Sequence, residues 1–293
     1  MNTMIEIKRF DLASMAKKNG LLKIENSFVF KPQTPSSTLY EKPHRSDMYS
    51  ISLILSGKIK LTTGVETRTA TAPALVAIAP DQIRQWELIE PPIVGTVLFF
   101  KEDFILSELA DGLFLRKLSV YISTRNNLTR LSVENFDKLK NLYSFLEEKM
   151  TSTDANKDPV VRHITRIILL EADQIIKADL EKKEITRKSM LSEKFGTLLT
   201  ENFIRERKIG FYAQKLSITS KHLSQTLKEQ CGKTAGKMIN EMVCLEAKIL
   251  LQNREISIAQ VADYLNFPNP SFFGKFFKRE VGMNPKQYRE LTD

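Results

Sequence analysis

Between residues 257 and 282 the chain carries two helix-start signals and one helix-stop signal, so close together that only a short helix, a tight turn and a second helix fit between them. Ser257 is followed three residues later by Gln260, the spacing at which each side chain satisfies the other's free backbone N–H. Asn269-Pro270 sets an N-cap before a proline at the first helical position, where a missing N–H costs nothing. Gly282 supplies the left-handed residue that ends a helix. These signals predict helices over 257–265 and 270–281 with a turn at 266–269. The same grammar runs upstream: a helix over 211–216, a turn at Ser217-Ile218, Thr219 as N-cap, and a helix over 220–230 closed by Gly232. Residues 235–253 read as one long helix, and Asn284-Pro285 starts a last short one that ends near Tyr288-Arg289.

A short helix turning into a second helix is the geometry that places the second in the major groove of DNA. Two such units are expected, at about 209–232 and 257–282. The helix between them spans roughly 28 Å at about 1.5 Å per residue. That length suits two reading helices held about 34 Å apart, one turn of the duplex. Charge agrees with a double-stranded DNA partner. From Ile185 onward there are 18 Lys+Arg against 11 Asp+Glu, so +7 of the chain's net +9 lies in that stretch. Each phosphate neutralised by a basic side chain releases counterions.

The segment Phe267-Pro-Asn-Pro-Ser-Phe-Phe-Gly-Lys-Phe-Phe-Lys-Arg-Glu-Val-Gly-Met-Asn-Pro-Lys-Gln-Tyr-Arg289 resembles the C-terminal signature of AraC-family transcription regulators. Ile258-Ala-Gln-Val-Ala and Leu245-Glu-Ala-Lys-Ile-Leu-Leu251 fall at matching places, and the resemblance covers roughly residues 195–291. Two departures stand out: there is no arginine in 239–245, where many members carry one, and Gly274 stands where serine, threonine or cysteine is usual. Carried over by position, the resemblance implies base reading by Lys221, Ser224 and Gln225 of the first reading helix and by Ser271, Phe272 and Lys275 of the second. Glutamine suits adenine, lysine the acceptors of guanine, and an exposed Phe272 a thymine methyl group. Lys228, Lys278 and Arg279 are expected on phosphates, which position without specifying. Leu223, Leu227, Phe273 and Phe277, spaced by four on the opposite face, are expected in the core.

Before residue 185 the pattern changes. From about residue 27 to 100 it consists of short β-rich runs broken by Gly and Pro, with Tyr49, Ile51, Leu53 and Leu55 on one face of a strand and Ser50 and Ser52 on the other. Further runs at 58–62, 67–71, 74–79 and 93–100 predict a small antiparallel barrel or jelly roll. Pro43-His44 and Ala79-Pro80-Asp81-Gln82 before Trp86 are similar to the cupin-like sensing domain that often precedes an AraC-type reader. The fold class is thus α+β: a cupin-like β-barrel with a helical extension (residues 1–184, helices about 103–180), then an all-α tandem helix-turn-helix domain (185–293). A small organic effector in the barrel mouth would meet His44, Tyr49, Arg84 and Trp86. Core packing of Tyr49 and Trp86, an exposed His44 and a surface Arg84 compete with that reading.

Val133, Phe136, Leu139, Tyr143, Leu146 and Met150 recur at steps of three and four, an apolar helical stripe, and a second helix is expected from Val160 to about Leu180. The stripe serves either the barrel of its own chain or, as the resemblance implies, a homodimer seam through helices at about 133–150 and 160–180. The charged stretch 181–188 is the expected linker. One histidine among the expected strands rules against a metal site, and no cofactor is implied. The two cysteines, Cys231 and Cys244, are expected as reduced thiols, and no run approaches the ~20 apolar residues of a membrane span. Three functions are weighed: a regulator responding to a small molecule, a cupin-type enzyme with a DNA-binding tail, and a non-specific architectural binder. The regulator explains both halves and the charge split. The resemblance adds activation through RNA polymerase, in the cytoplasm of a bacterium and on its nucleoid when bound.

Overall fold

The computed structural model describes residues 21–24, 27–36, 42–107, 109, 111–122, 127–182 and 186–291. They fall into two compact units that part between residues 184 and 185. Of the expected linker at 181–188, residues 183–185 lie outside the described residues.

The N-terminal unit is a seven-stranded antiparallel sheet flanked by helices. Its strands are β1 (Leu22–Ile24), β2 (Phe28–Ser36), β3 (Tyr49–Thr63), β4 (Glu66–Thr71), β5 (Ala74–Ile78), β6 (Arg84–Phe100) and β7 (Leu128–Arg130). They pair in the order β1-β2-β6-β3-β5-β7, with β4 on β3. The ladder is an open path from β1 to β7, so the sheet closes no hydrogen-bonded barrel among the described residues. Two runs expected as separate strands are one. Gly57 sits at φ +92 inside β3, and a Cβ there would lie 2.9 Å from the Glu90 carbonyl oxygen. The glycine permits a bulge rather than a break, and the β3–β6 register shifts beside it.

Alternation gives the sheet two apolar faces. Tyr49, Ile51, Leu53, Leu75 and Ala77 point one way; Ile54, Ala74, Val76 and Ile78 point the other. The first face is covered by α1 (Glu102–Leu106), α2 (Phe114–Lys117), α3 (Ser119–Ile122), α4 (Val133–Thr151) and α5 (Lys157–Lys182). Leu139, Tyr143, Leu146 and Met150 of α4 are buried there, and the Tyr143 hydroxyl donates to the Ile51 carbonyl oxygen at 3.1 Å. The stripe read from the sequence therefore packs on its own sheet at these four positions. Phe136 packs at its edge and Val133 is exposed.

The C-terminal unit is all helix: α6 (Arg187–Asn202), α7 (Ile209–Lys215), α8 (Ser220–Cys231), α9 (Ala235–Leu251), α10 (Ile258–Tyr264), α11 (Pro270–Val281) and α12 (Pro285–Leu291). Twelve of the 17 residues of α9 are buried, so this helix is the shared core of everything around it. It ends two residues earlier than expected, at about 26 Å. Neither Cys231 nor Cys244 is in a disulfide, and burial pushes the Cys244 thiol up to about 12. No described helix is long and apolar enough to cross a membrane, and no described group of three His, Cys, Asp or Glu is arranged to hold a metal ion.

Candidate nucleic-acid interface

Two helix-turn-helix units are built alike. In the first, α7 stops at a turn where Ser217 takes φ +55 and the Ile218 N–H returns to the Ala213 carbonyl oxygen at 3.0 Å. In the second, Asn266 takes φ +55 after α10, and the Phe267 N–H returns to the Ala262 carbonyl oxygen at 2.9 Å. Asparagine tolerates this left-handed backbone and serine tolerates it less well. Each reading helix then opens on a side-chain cap. The Thr219 oxygen accepts from His222 N–H at 3.1 Å, and Asn269 Oδ1 accepts from Phe272 N–H at 3.0 Å. Gly232 and Gly282 close them at φ +72 and +88. The capping box of α10 is formed in both directions, at 2.8 and 3.1 Å between Ser257 and Gln260.

Burial divides each reading helix into two faces. Leu223, Leu227, Phe273 and Phe277 are fully buried, where spacing by four placed them. On the solvent side lie Lys221, Gln225 and Lys228 of α8, with Ser224 half-buried, and Ser271, Phe272, Lys275, Lys278 and Arg279 of α11. Phe272 is 58% exposed, a large ring in water on the same helix as the exposed Lys275, Lys278 and Arg279. A methyl group at Gly274 would meet nothing within 4 Å, so the backbone of α11 is open there to close approach.

This arrangement is specific enough to be recognised. The family model described as a helix-turn-helix domain matches residues 212–291. Residues 212–291 form a helix-turn-helix domain of the AraC type. The xylose operon regulatory protein of Haemophilus influenzae is 32% identical over 93 residues, 30% of this chain and 24% of that protein. The transcriptional activator RhaR of Salmonella schwarzengrund is 26% identical over 108 residues, 37% of this chain and 38% of that one. RhaR of an Enterobacter species is 22% identical over 163 residues, covering 56% and 57%. The chain thus spans less than two thirds of these curated relatives. A crystal structure of ToxT from Vibrio cholerae with an unsaturated fatty acid bound shares 18% identity, overlapping 91% of this chain and 96% of that one at a TM-score of 0.41.

Several polar contacts of the AraC-type domain were not read from the sequence. Gln225 Nε2 donates to Glu229 Oε1 at 3.1 Å, and Lys188 Nζ of α6 reaches Glu229 Oε2 at 2.7 Å. These hydrogen bonds, the one from Lys188 first, hold the Glu229 carboxyl below its ordinary value. Gln225 is therefore tethered along its helix. Glu280 of α11 collects Asn240 Nδ2 at 3.1 Å and Lys237 Nζ at 3.5 Å, both from α9, and Arg279 Nη2 at 2.8 Å. Arg279, expected free for phosphate, is already paired with its neighbour, though two thirds of its side chain stays in water.

In the N-terminal unit the four expected effector contacts do not converge. Tyr49 packs against Phe100 and Tyr121 on the helix-covered face, while half-buried Trp86 joins the cluster on the other face. His44 and Arg84 do meet. Their backbones exchange two hydrogen bonds at 3.0 Å, and Arg84 Nε donates to His44 Nε2 at 3.2 Å. His44 Nδ1 faces the Lys42 carbonyl oxygen at 2.9 Å, which only accepts, so Nδ1 carries the proton and Nε2 is free to accept. Of the two readings of Arg84, effector contact and a surface position, the second fails: it is 3% exposed, and burial brings its guanidinium down to about 10. Among the described residues no carboxylate pairs with it.

Proposed function

We propose that this chain is a sequence-specific DNA-binding transcription regulator that reads two successive major grooves from one side of the duplex. The observation that carries the reading is the division of α8 and α11. Each buries an apolar face against the domain and turns a basic, polar face outward, and both units are mounted on α9. Base reading falls to Lys221, Ser224, Gln225, Ser271, Phe272 and Lys275, and phosphate contact to Lys228, Lys278 and Arg279. The curated relatives are named as regulators and activators of transcription, which favours activation, with RNA polymerase as the partner, in a bacterial cytoplasm and on the nucleoid when bound. The test is selection of bound fragments from a random DNA library at near-physiological salt. The expected result is a bipartite, asymmetric motif whose blocks lie about one helical turn apart. Enrichment without any motif, by the full chain and by residues 185–293 alike, overturns specific regulation and leaves an architectural binder.

The N-terminal unit is proposed as the sensing part. Arg84, a buried cation whose side chain, among the described residues, hydrogen-bonds only to a neutral imidazole, favours an effector with a carboxylate or another small anionic group. Thermal shift against a panel of small carboxylic, sugar and fatty acids is expected to find a stabilising ligand, by mass action. Arg84→Met is expected to hold its own midpoint within a few degrees and to lose that ligand shift. Retention of the full shift in Arg84→Met removes Arg84 from the site. A homodimer seam is proposed on the exposed face of α5, where Ile167 and Leu170 are 46% and 52% exposed.

A further inference from the structure

The two helix-turn-helix units share α9, yet they also touch away from it. Residues 203–208 lead from α6 into the first unit. Tyr212, fully buried in that unit, donates its hydroxyl to the Glu206 carbonyl oxygen at 2.7 Å and packs edge-on against Phe195 at 5.4 Å. The backbone is thereby pinned one residue before Arg207. The Arg207 guanidinium carbon then lies 3.7 Å from the centroid of the Phe267 ring, in the turn between α10 and α11. At that distance the planar cation is in van der Waals contact with the ring face. Phe267 in turn packs against Phe273 and Phe276 of the second reading helix, with centroids at 5.3 and 5.1 Å. Arg207 Nη2 is buried and finds no hydrogen-bond partner among the described residues, and burial holds its pKa below the ordinary arginine value. A guanidinium gives up water in this way only where the surrounding structure holds it in place.

We infer that Arg207 is a positioning residue: its stack on Phe267 is a second strut, off the α9 axis, that fixes the second reading helix against the first and so sets the base-pair spacing accepted between the two halves of the DNA site. The inference rests on the two-reader function proposed above. A single shared helix sets the separation of two units but resists rotation about its own axis only through the side chains packed on it. A contact at a distance from that axis closes the frame. The demand is real, because one added base pair moves the second half-site about 3.4 Å along the duplex and about 34° around it.

The experiment uses the full chain and the bipartite sequence obtained by selection, remade with its spacer lengthened and shortened by one and two base pairs. Wild type is expected to favour one spacer sharply. In Arg207→Ala that preference over the neighbouring spacers should fall about 3–10-fold, while affinity for either block alone stays as it was. Arg207→Lys should fall between, since an ammonium lies over a ring without stacking flat on it. Phe267→Leu keeps an apolar side chain and removes the ring face, so it should broaden spacing as well, and it carries the test if Arg207→Ala does not fold. Melting temperatures measured in parallel separate a loss of stability from a loss of geometry. A wild type that selects no bipartite motif overturns the function reading together with this inference. A sharp wild-type preference that Arg207→Ala and Phe267→Leu both retain, whatever their melting temperatures, overturns the inference alone.

Discussion

Phe277→Ala is expected to remove a large part of the stability of the AraC-type domain and with it to lower the fraction of the protein able to bind DNA. The ring is fully buried on the inner face of α11, with centroids 5.7 Å from Phe273 and 5.6 Å from Tyr288. Its neighbours Ala247, Leu250, Leu251 and Leu265 are fixed by α9 and by the end of α10, so the site has little room to collapse around a methyl group. Truncating a buried phenylalanine to alanine costs about 3–5 kcal/mol, against a total of about 5–15 kcal/mol for a typical domain. Chemical denaturation of residues 185–293 reads the loss as a lower midpoint at unchanged slope. The neighbouring ring supplies the control. Phe272 lies 58% in water, and Phe272→Ala should shift stability by no more than about 0.5 kcal/mol. A midpoint for Phe277→Ala within that same margin would mean that α11 is not seated on α9 as described.

The contrast between those two rings, five residues apart on one helix, was legible in the sequence, and the reason is local. Thr219, Asn269, Gly232 and Gly282 fix where each reading helix begins and ends, and with the ends fixed a period of 3.6 decides which side chains face inward. The support helices were read less well. The first begins two residues earlier than expected, at Ile209, since Lys208 before it offers no side-chain cap to mark the start. α6 was missed as an element. Its N-cap Thr186 accepts from Ser189 N–H, but it lies ahead of the repeated grammar and has no turn signal behind it. With α6 missing, Lys188 could not be paired with Glu229, whereas the Gln225–Glu229 pair, one turn apart on α8, was within reach of the sequence and was overlooked.

The β unit shows the other limit. Alternation along β3 put Tyr49, Ile51 and Leu53 on one face correctly, because face follows from period two within a single strand. Which strand a side chain meets depends on register, and register was altered by bulges around Gly57, a glycine that marks a break and a bulge equally in the sequence. Tyr49 and Trp86 therefore looked like neighbours in one mouth and lie in different clusters. The His44–Arg84 contact joins residues 40 positions apart through an isolated bridge, and nothing in either segment alone distinguishes a buried arginine from a solvated one.

Lys275→Ala is expected to relax sequence preference at one base pair of the second block and to leave the rest of the motif as it was. Lys275 stands on the exposed face of α11 beside Gly274, where the helix backbone can come closest to a groove. An ammonium over the acceptors of guanine is worth about 1–3 kcal/mol of discrimination, or about 5–150-fold against the wrong base. Arg279 gives the opposite expectation. Its guanidinium is shared with Glu280, two thirds in water and in the last turn of the helix, a place from which it is proposed to meet backbone rather than bases. Arg279→Ala should weaken every sequence alike and reduce the slope of log affinity against log salt by about one. Because Arg279 must trade Glu280 for a phosphate, its net loss should be smaller than that of an unpaired cation. Binding of both variants to the selected site and to its single-base substitutions, at several salt concentrations, separates the two behaviours. A uniform loss across all sequences from Lys275→Ala would move Lys275 to the phosphates and leave Ser271 and Phe272 as the base readers of the second helix.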